Sequence, residues 1–283
     1  MTVALNSESL ESTKANSSAG NTALVLGATG GLGKAYCKAL ASRQFNLVIS
    51  GRSAMALDVL ATELGSEHGV AVNTLVADLC NASDCNRVLA LLEQNAKINW
   101  LVNSAGVAHW GKFMELSLAS QQELFQVNLL TPLELLRSAA EAFRRRGGGT
   151  IVHVASAAAF FSVPFLSSYC ASKGAVVQAM TSIREEIRGE GVCLQALCPG
   201  FVKTEMFARA GADSDRLPSW IWMSPDRIAR ESIRAVELNR SVCIPGKRYH
   251  LMLFAMRWVP AQISRRVAGW LFGNFSKYRI STR

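Results

Sequence analysis

Asn21-Thr22-Ala23-Leu24-Val25-Leu26 runs straight into Gly27-Ala28-Thr29-Gly30-Gly31-Leu32-Gly33, and a helical pattern follows from Lys34 to Ser42. The first six residues read as a short buried strand. The glycines allow a tight turn and let a pyrophosphate approach the backbone at a helix N-terminus. The spacing is Gly-x-x-x-Gly-x-Gly rather than the Gly-x-Gly-x-x-Gly of many dinucleotide domains. A glycine-rich loop alone is a modest signal, and the strand before it and helix after it point to nucleotide binding over a plain turn.

Working outward, a second strand at 46–50 ends in Gly51-Arg52-Ser53. An acid at the end of this strand would suit an NAD ribose. The residue here is Arg52, and a cation suits the 2′-phosphate of NADP(H). An exposed loop arginine is the alternative. Alternation continues with helices predicted at 54–67 and 82–96, and with strands at 70–77, ending at Asp78-Leu79, and 98–102, ending at Asn103-Ser104-Ala105-Gly106. A long helix at 118–145 would contain Asn128. The strand at 150–155 ends at Ser156, a helix carrying Tyr169 and Lys173 runs to Arg188, and a strand at 192–197 ends at Cys198-Pro199-Gly200. Strands alternating with helices predict an α/β fold, a Rossmann-like doubly wound parallel sheet in three α/β/α layers. The candidate chemical residues follow the C-terminal ends of strands, where such sheets bind ligands.

Tyr169 and Lys173 stand four apart and share one face of a helix. An ammonium beside a phenol favours the phenolate, so the pair predicts a lowered Tyr169 pKa and an acid or base near neutrality. Ser156 can hold a substrate oxygen with its hydroxyl.

Composition sets bounds. The chain has 283 residues, 49% of them hydrophobic, enough for a sizeable core. No apolar run reaches the length of a membrane-spanning helix. Residues 1–20 are rich in Ser, Asn, Thr and Glu, lack the pattern of a secretory signal and read as a disordered tail. Seven cysteines without zinc-ligand spacing read as reduced thiols in a cytoplasmic setting, with no metal site, and Cys170 as a packing residue. The net charge is +9, and the nine basic residues from Arg240 onward have no acid among them, so the excess lies in the last segment. A neutral body without a recognition motif argues against nucleic acid.

Together the Gly27/Gly31/Gly33 loop, Asp78-Leu79, Asn103-Ser104-Ala105-Gly106, Asn128, Ser156, Tyr169, Lys173 and Pro199-Gly200 through Thr204 resemble the short-chain dehydrogenase/reductase family over about 22–244. Two positions depart from its pattern. Leu26 stands where the family often has Thr, and Ser104 where it has a second Asn. The resemblance implies an oxidoreductase in which Tyr169 donates a proton to a ketone oxygen or removes one from an alcohol. Lys173 would lower the Tyr169 pKa and hold the nicotinamide ribose. Ser156 would orient the carbonyl, and Asn128 would hold a water linking Lys173 to solvent. Thr29, Gly30, Leu32, Ser53 and Val202 join the cofactor set. Asp78 and Leu79 would flank the adenine, residues 103–106 would line the cofactor, and Thr204 would bind the carboxamide. The family often assembles as dimers or tetramers, so a homodimer or homotetramer is expected.

Apolar residues at 157–166 and a lid at 205–224, with Met206, Phe207, Leu217, Trp220, Ile221, Trp222 and Met223, would border the nicotinamide end. They argue for a lipophilic substrate, or else fill the core or a subunit contact. His109 and Trp110 either line the pocket or face solvent. The extension at 246–283 mixes Arg with Trp, Phe and Leu, as a helix lying in a membrane interface does. Packing on the lid or a neighbouring subunit is the alternative. The body at 21–245 reads as one catalytic domain, and an extension following Ile244-Pro245-Gly246 resembles those of short-chain reductases acting on fatty acyl or steroid-like ketones, which implies NADPH-dependent reduction of a lipophilic ketone such as a 3-oxoacyl thioester. A hydroxysteroid-type or other secondary-alcohol dehydrogenase is the alternative within the class. A membrane-associated, NADPH-binding, non-catalytic protein is the alternative outside it.

Overall fold

The computed structural model describes residues 21–203 and 219–256, with Trp258. The expected disordered tail at 1–20, Thr204, most of the expected lid and the end of the extension lie outside the described residues. Seven strands form one parallel sheet: β1 (Thr22–Leu26), β2 (Asn46–Gly51), β3 (Val72–Val76), β4 (Ile98–Asn103), β5 (Gly149–Val154), β6 (Val192–Leu197) and β7 (Val242–Cys243). Their order is β3-β2-β1-β4-β5-β6-β7. The chain winds one way from β1 to β3 and the other way from β4 to β7. The crevice between the ends of β1 and β4 is therefore the switch point at which such sheets bind ligands.

The alternation within β1 shows why both faces are covered. Ala23 and Val25 point to one side, against α1 (Gly31–Ala41), α2 (Ala54–His68) and α7 (Pro225–Glu237). Leu24 and Leu26 point to the other, against α3 (Ala82–Gln94), α5 (Thr131–Arg145) and α6 (Ser167–Glu186). Successive side chains of a strand face opposite ways, so a strand apolar at every position needs helices on both sides. Each leucine fully buried here contributes roughly 1.5–3 kcal/mol relative to an exposed one. A buried hydroxyl chain ties one layer to the sheet: Tyr36 Oη donates to Ser232 Oγ, which donates to Gln195 Oε1, both at 2.5 Å.

Two elements were not expected. Helix α7 opens with Ser224, whose hydroxyl accepts from Arg227 N, and has Pro225 in its first turn. The short strand β7 then extends the sheet beyond β6. The expected long helix at 118–145 runs unbroken, with a change of winding in its middle. It comprises α4 (Leu118–Phe125), a π turn at Gln126–Leu130 and α5. Pro132 lies in the first turn of α5, where its missing N–H costs no bond.

Candidate active site

Gly27 stands at the end of β1 with φ +71°, and a Cβ there would lie 2.7 Å from Ala105 N. The two turns that follow β1 and β4 therefore touch backbone to backbone. A Cβ on Gly33 would lie 2.1 Å from Gly27 O, so α1 packs directly against the turn. Gly30 caps α1 without any side-chain hydrogen bond. The first-turn amides of Gly31, Leu32 and Gly33 are thus left to the positive end of the helix, a cradle that fits a pyrophosphate. The two departures from the family pattern meet each other: Ser104 Oγ donates to Leu26 O at 2.8 Å and binds the two turns together.

Thr29 leans over the end of β2, where a Cβ on Gly51 would be 3.2 Å from Thr29 Oγ1. Arg52, next along, is exposed, and no ion pair holds it among the described residues. Ser53 caps α2 by accepting from Ala56 N. Asp78 is braced from behind, its N–H donating to Asp84 Oδ2 at 2.8 Å, while its own Oδ1 accepts from Cys80 N. Asp84 was not singled out from the sequence, although the Asn81-x-x-Asp84 start of α3 is a capping pattern. Leu79 is buried, and its carbonyl accepts from Thr131 Oγ1. Asn103 is also buried rather than lining the crevice with its side chain. Its Oδ1 accepts from Ala105 N, and its Nδ2 has no partner.

At the other end of the crevice four side chains converge. Tyr169 and Lys173 lie on α6, with Lys173 Nζ 5.8 Å from the Tyr169 ring centroid. Lys173 is almost wholly buried and donates to Val154 O at 2.9 Å. Ser156 follows β5 and hydrogen-bonds Tyr169. Its hydroxyl also accepts from Ala158 N at 3.1 Å. Asn128, inside the π turn and without exposure, closes on the Val107 backbone: Oδ1 accepts from Val107 N at 2.9 Å and Nδ2 donates to Val107 O at 2.7 Å. A Cβ on Gly106 would meet Asn128 Oδ1 at 3.3 Å and Lys173 Nζ at 3.4 Å, so both side chains lie against the turn after β4.

The expected lowering of the Tyr169 pKa is corrected here. Burial pushes the phenol up to about 12, and the Ser156 hydrogen bond offsets only part of this. Burial likewise pushes Lys173 down, to about 8. Helical spacing brings the two together, but both leave water, and desolvation is the largest influence on each.

An apolar wall adjoins these groups. Leu124, Val163, Leu166 and Tyr169 are packed with Val107, Trp110, Phe161 and Cys170. Trp110 stacks on Phe165 at 6.3 Å between ring centroids. Phe165 has φ +69°, a left-handed conformation that a bulky side chain rarely adopts. His109 faces Glu123 Oε2 at 3.4 Å rather than the phenol. Of the expected lid, Met223 is a core residue and Trp220 is 63% exposed, so neither side chain is part of this wall. Pro199 and Gly200 follow β6, and Pro199 O accepts from Ala157 N at 2.8 Å beside Ser156. Val202 is buried and bridges to Met223.

Comparison with known proteins agrees with this geometry. The family profile described as short chain dehydrogenase matches residues 21–215. A galactitol 2-dehydrogenase (L-tagatose-forming) of Cereibacter sphaeroides is 36% identical over 208 residues, covering 73% of this chain and 81% of that protein. The ketoacyl reductase HetN of Nostoc sp. is 33% identical over 276 residues, covering 93% and 94%. Among solved structures, a short-chain dehydrogenase from Sphingobium yanoikuyae in complex with NADPH superposes with a TM-score of 0.78 at 30% identity, covering 93% of this chain and 98% of that one.

Proposed function

The chain belongs to the short-chain dehydrogenase family, and from that premise we propose that it is an NADPH-dependent oxidoreductase reducing a lipophilic ketone to a secondary alcohol. The observation that carries the reading is the convergence of Ser156, Tyr169, Lys173 and Asn128 beside an apolar wall, at the end of a crevice whose other end is the glycine cradle. NADPH, when bound, supplies the hydride. Gly30 to Gly33 receive the pyrophosphate at the start of α1. Arg52 and Ser53 stand at the end of β2 for the 2′-phosphate, and a guanidinium matches its geometry. Asp78 and Leu79 flank the adenine, and Ala105 and Gly106 line the floor. Pro199, Gly200, Val202 and Thr204 serve the carboxamide end.

The chemistry at the reacting carbon leaves negative charge on the substrate oxygen. Tyr169 gives that oxygen its phenolic proton, and the Ser156 hydroxyl orients it and shares the charge. Lys173 holds the ribose hydroxyls and its charge favours the phenolate left behind. Asn128 fixes the backbone at Val107 and lies beside Lys173, from which the proton is replaced. The substrate class is an acyl chain with a 3-oxo group, as a thioester. The apolar wall supports this over the polyol oxidised by the galactitol relative, since it offers a sugar few hydrogen-bonding partners.

The test is turnover of NADPH with 3-oxoacyl thioesters of increasing chain length, by wild type and Tyr169→Phe. Activity should rise with chain length and fall by roughly 100-fold or more in the variant, while NADPH binding persists. Activity on polyols alone would overturn the substrate class. A Tyr169→Phe protein that retained its biological role would favour the non-catalytic alternative.

The same reading places the protein in the cytoplasm, its seven cysteines unpaired, as a homodimer or homotetramer checked by light scattering. Among the described residues no helix is long and apolar enough to cross a membrane. On helix α8 (Lys247–Met256), however, Leu251 and Phe254 are exposed, with Trp258 beyond, in the segment that holds the whole basic excess. This supports peripheral contact with an anionic bilayer. Sedimentation with phosphatidylglycerol vesicles should carry the wild type down and leave a Leu251→Glu/Phe254→Glu variant in solution.

A further inference from the structure

The family profile ends at residue 215, yet a residue of α8 reaches into the turn after β6. Tyr249 is buried, although it lies on a helix whose outer residues Leu251 and Phe254 are exposed. Its ring lies so close to Gly200 that a Cβ there would be 2.1 Å from Tyr249 Cε1 and Cζ. Its hydroxyl does two jobs at once. It accepts from Phe201 N at 3.0 Å and donates to Ile221 O at 2.5 Å. The neighbouring Arg248 donates to Trp220 O at 2.5 Å, with its guanidinium 5.9 Å from the Trp220 ring centroid. Backbone bonds join the same two strands of chain: Met223 N donates to Phe201 O, and Lys203 N donates to Met223 O. On its other side the turn is held by Pro199 O, which accepts from Ala157 N next to Ser156.

The Pro199–Val202 turn thus sits between the catalytic serine segment and α8, and the Tyr249 hydroxyl supplies the partner for the Phe201 amide. We infer that Tyr249 is a positioning residue for the reactive end of the cofactor site: it sets the height of the Pro199–Val202 turn, and so how well that turn receives the nicotinamide half of NADPH. The inference rests on the NADPH reading above. It acts through backbone placement, because Tyr249 touches the turn and not the crevice. The glycine cradle and Arg52, at the far end, share no bond with Tyr249, so the adenine half is outside its reach.

That asymmetry supplies the test. Tyr249→Phe keeps the ring against Gly200 and removes only the hydroxyl. Two ligands are titrated: NADPH, and adenosine 2′,5′-bisphosphate, which has the adenine and both phosphates of that half but no nicotinamide. The variant should bind NADPH roughly 10-fold more weakly, the scale of one or two lost hydrogen bonds, and bind the bisphosphate within about twofold of wild type. Equal weakening of both ligands would mean general loosening of the fold and would overturn the inference, as would unchanged NADPH affinity. A wild type that bound the bisphosphate but gained nothing from the nicotinamide half would overturn it too. A wild type that bound neither ligand would instead overturn the cofactor reading beneath it.

A second pair of variants covers the case in which Tyr249→Phe is too mild or too damaging. Gly200→Ala drives a methyl into the Tyr249 ring and should weaken NADPH in the same selective way. Adding Tyr249→Ala to it should cost less than the two single losses combined, because both act on one contact. Full additivity would show that Gly200 and Tyr249 act separately and would overturn the coupling.

Discussion

Replacing Lys173 with methionine should stabilise the fold while abolishing turnover, and the gain should disappear at high pH. The side chain is buried, with Val154 O as its hydrogen-bond acceptor, and burial lowers its pKa from the usual 10.5 to about 8. A folded pKa below the unfolded one means that the unfolded chain binds more protons between the two values. Stability from this group therefore rises with pH across that interval. Below about pH 8 both states hold the proton and the folded state bears the full cost, about 3 kcal/mol at 1.36 kcal/mol per pH unit. Methionine removes that cost, but leaves Val154 O without its donor, a loss of about 1 kcal/mol. The net gain of about 2 kcal/mol should raise Tm by roughly 5 °C at pH 7. By pH 10.5 the folded side chain is neutral and the unfolded one half protonated, so the cost has fallen to about 0.4 kcal/mol, and the variant should be no more stable, or slightly less. Thermal unfolding followed by circular dichroism, without added nucleotide, at pH 7, 9 and 10.5 reads this directly. A lower Tm for the variant at pH 7, or a gain independent of pH, would refute the argument that burial dominates Lys173.

Two further outcomes follow from the same geometry. Asn128→Ala leaves both polar atoms of Val107 without their side-chain partner inside a buried turn, and urea unfolding should show a loss of about 2–4 kcal/mol. Arg52→Asp should cut NADPH affinity by roughly 10- to 100-fold, the worth of charged hydrogen bonds to the 2′-phosphate. Fluorescence titration should find NADH binding spared and Tm unmoved, since Arg52 is exposed.

Most of the sheet was legible because local signals bounded it. The strand over 22–26 and the strand over 192–197 fall where apolar runs stop at Gly27 and at Cys198-Pro199. The glycine turn was legible for the same reason, and its backbone contact with Ala105 explains why no side chain is tolerated at residue 27. Helix α7 was readable too, in its Ser224-Pro225 start and in the stripe Ile228, Ala229, Ser232, Ile233 and Ala235 that it buries. The departure from α winding within the 118–145 helix was also readable in part, since Pro132 cannot sit inside an α-helix without removing a bond. That the departure is a π turn whose Asn128 closes on Val107 was not, because the two residues lie twenty-one apart in the chain. The Tyr249 contact with Phe201 had no local trace for the same reason.

The Tyr169–Lys173 pair shows where sequence spacing stops and burial takes over. Four residues on a helix bring the groups together, and the structure has them facing. The sign of their effect depends on how much water each loses, which spacing does not encode. With the phenol at about 12 and the ammonium at about 8, the unliganded site at pH 7 holds a protonated tyrosine beside a charged lysine. On the proposed mechanism that is the protonation state a ketone reduction starts from. Oxidation would begin from the phenolate, the same species that reduction leaves behind. Burial of the pair thus does more than correct a pKa. On the proposed mechanism it leaves the unliganded site holding the proton that a ketone oxygen would receive.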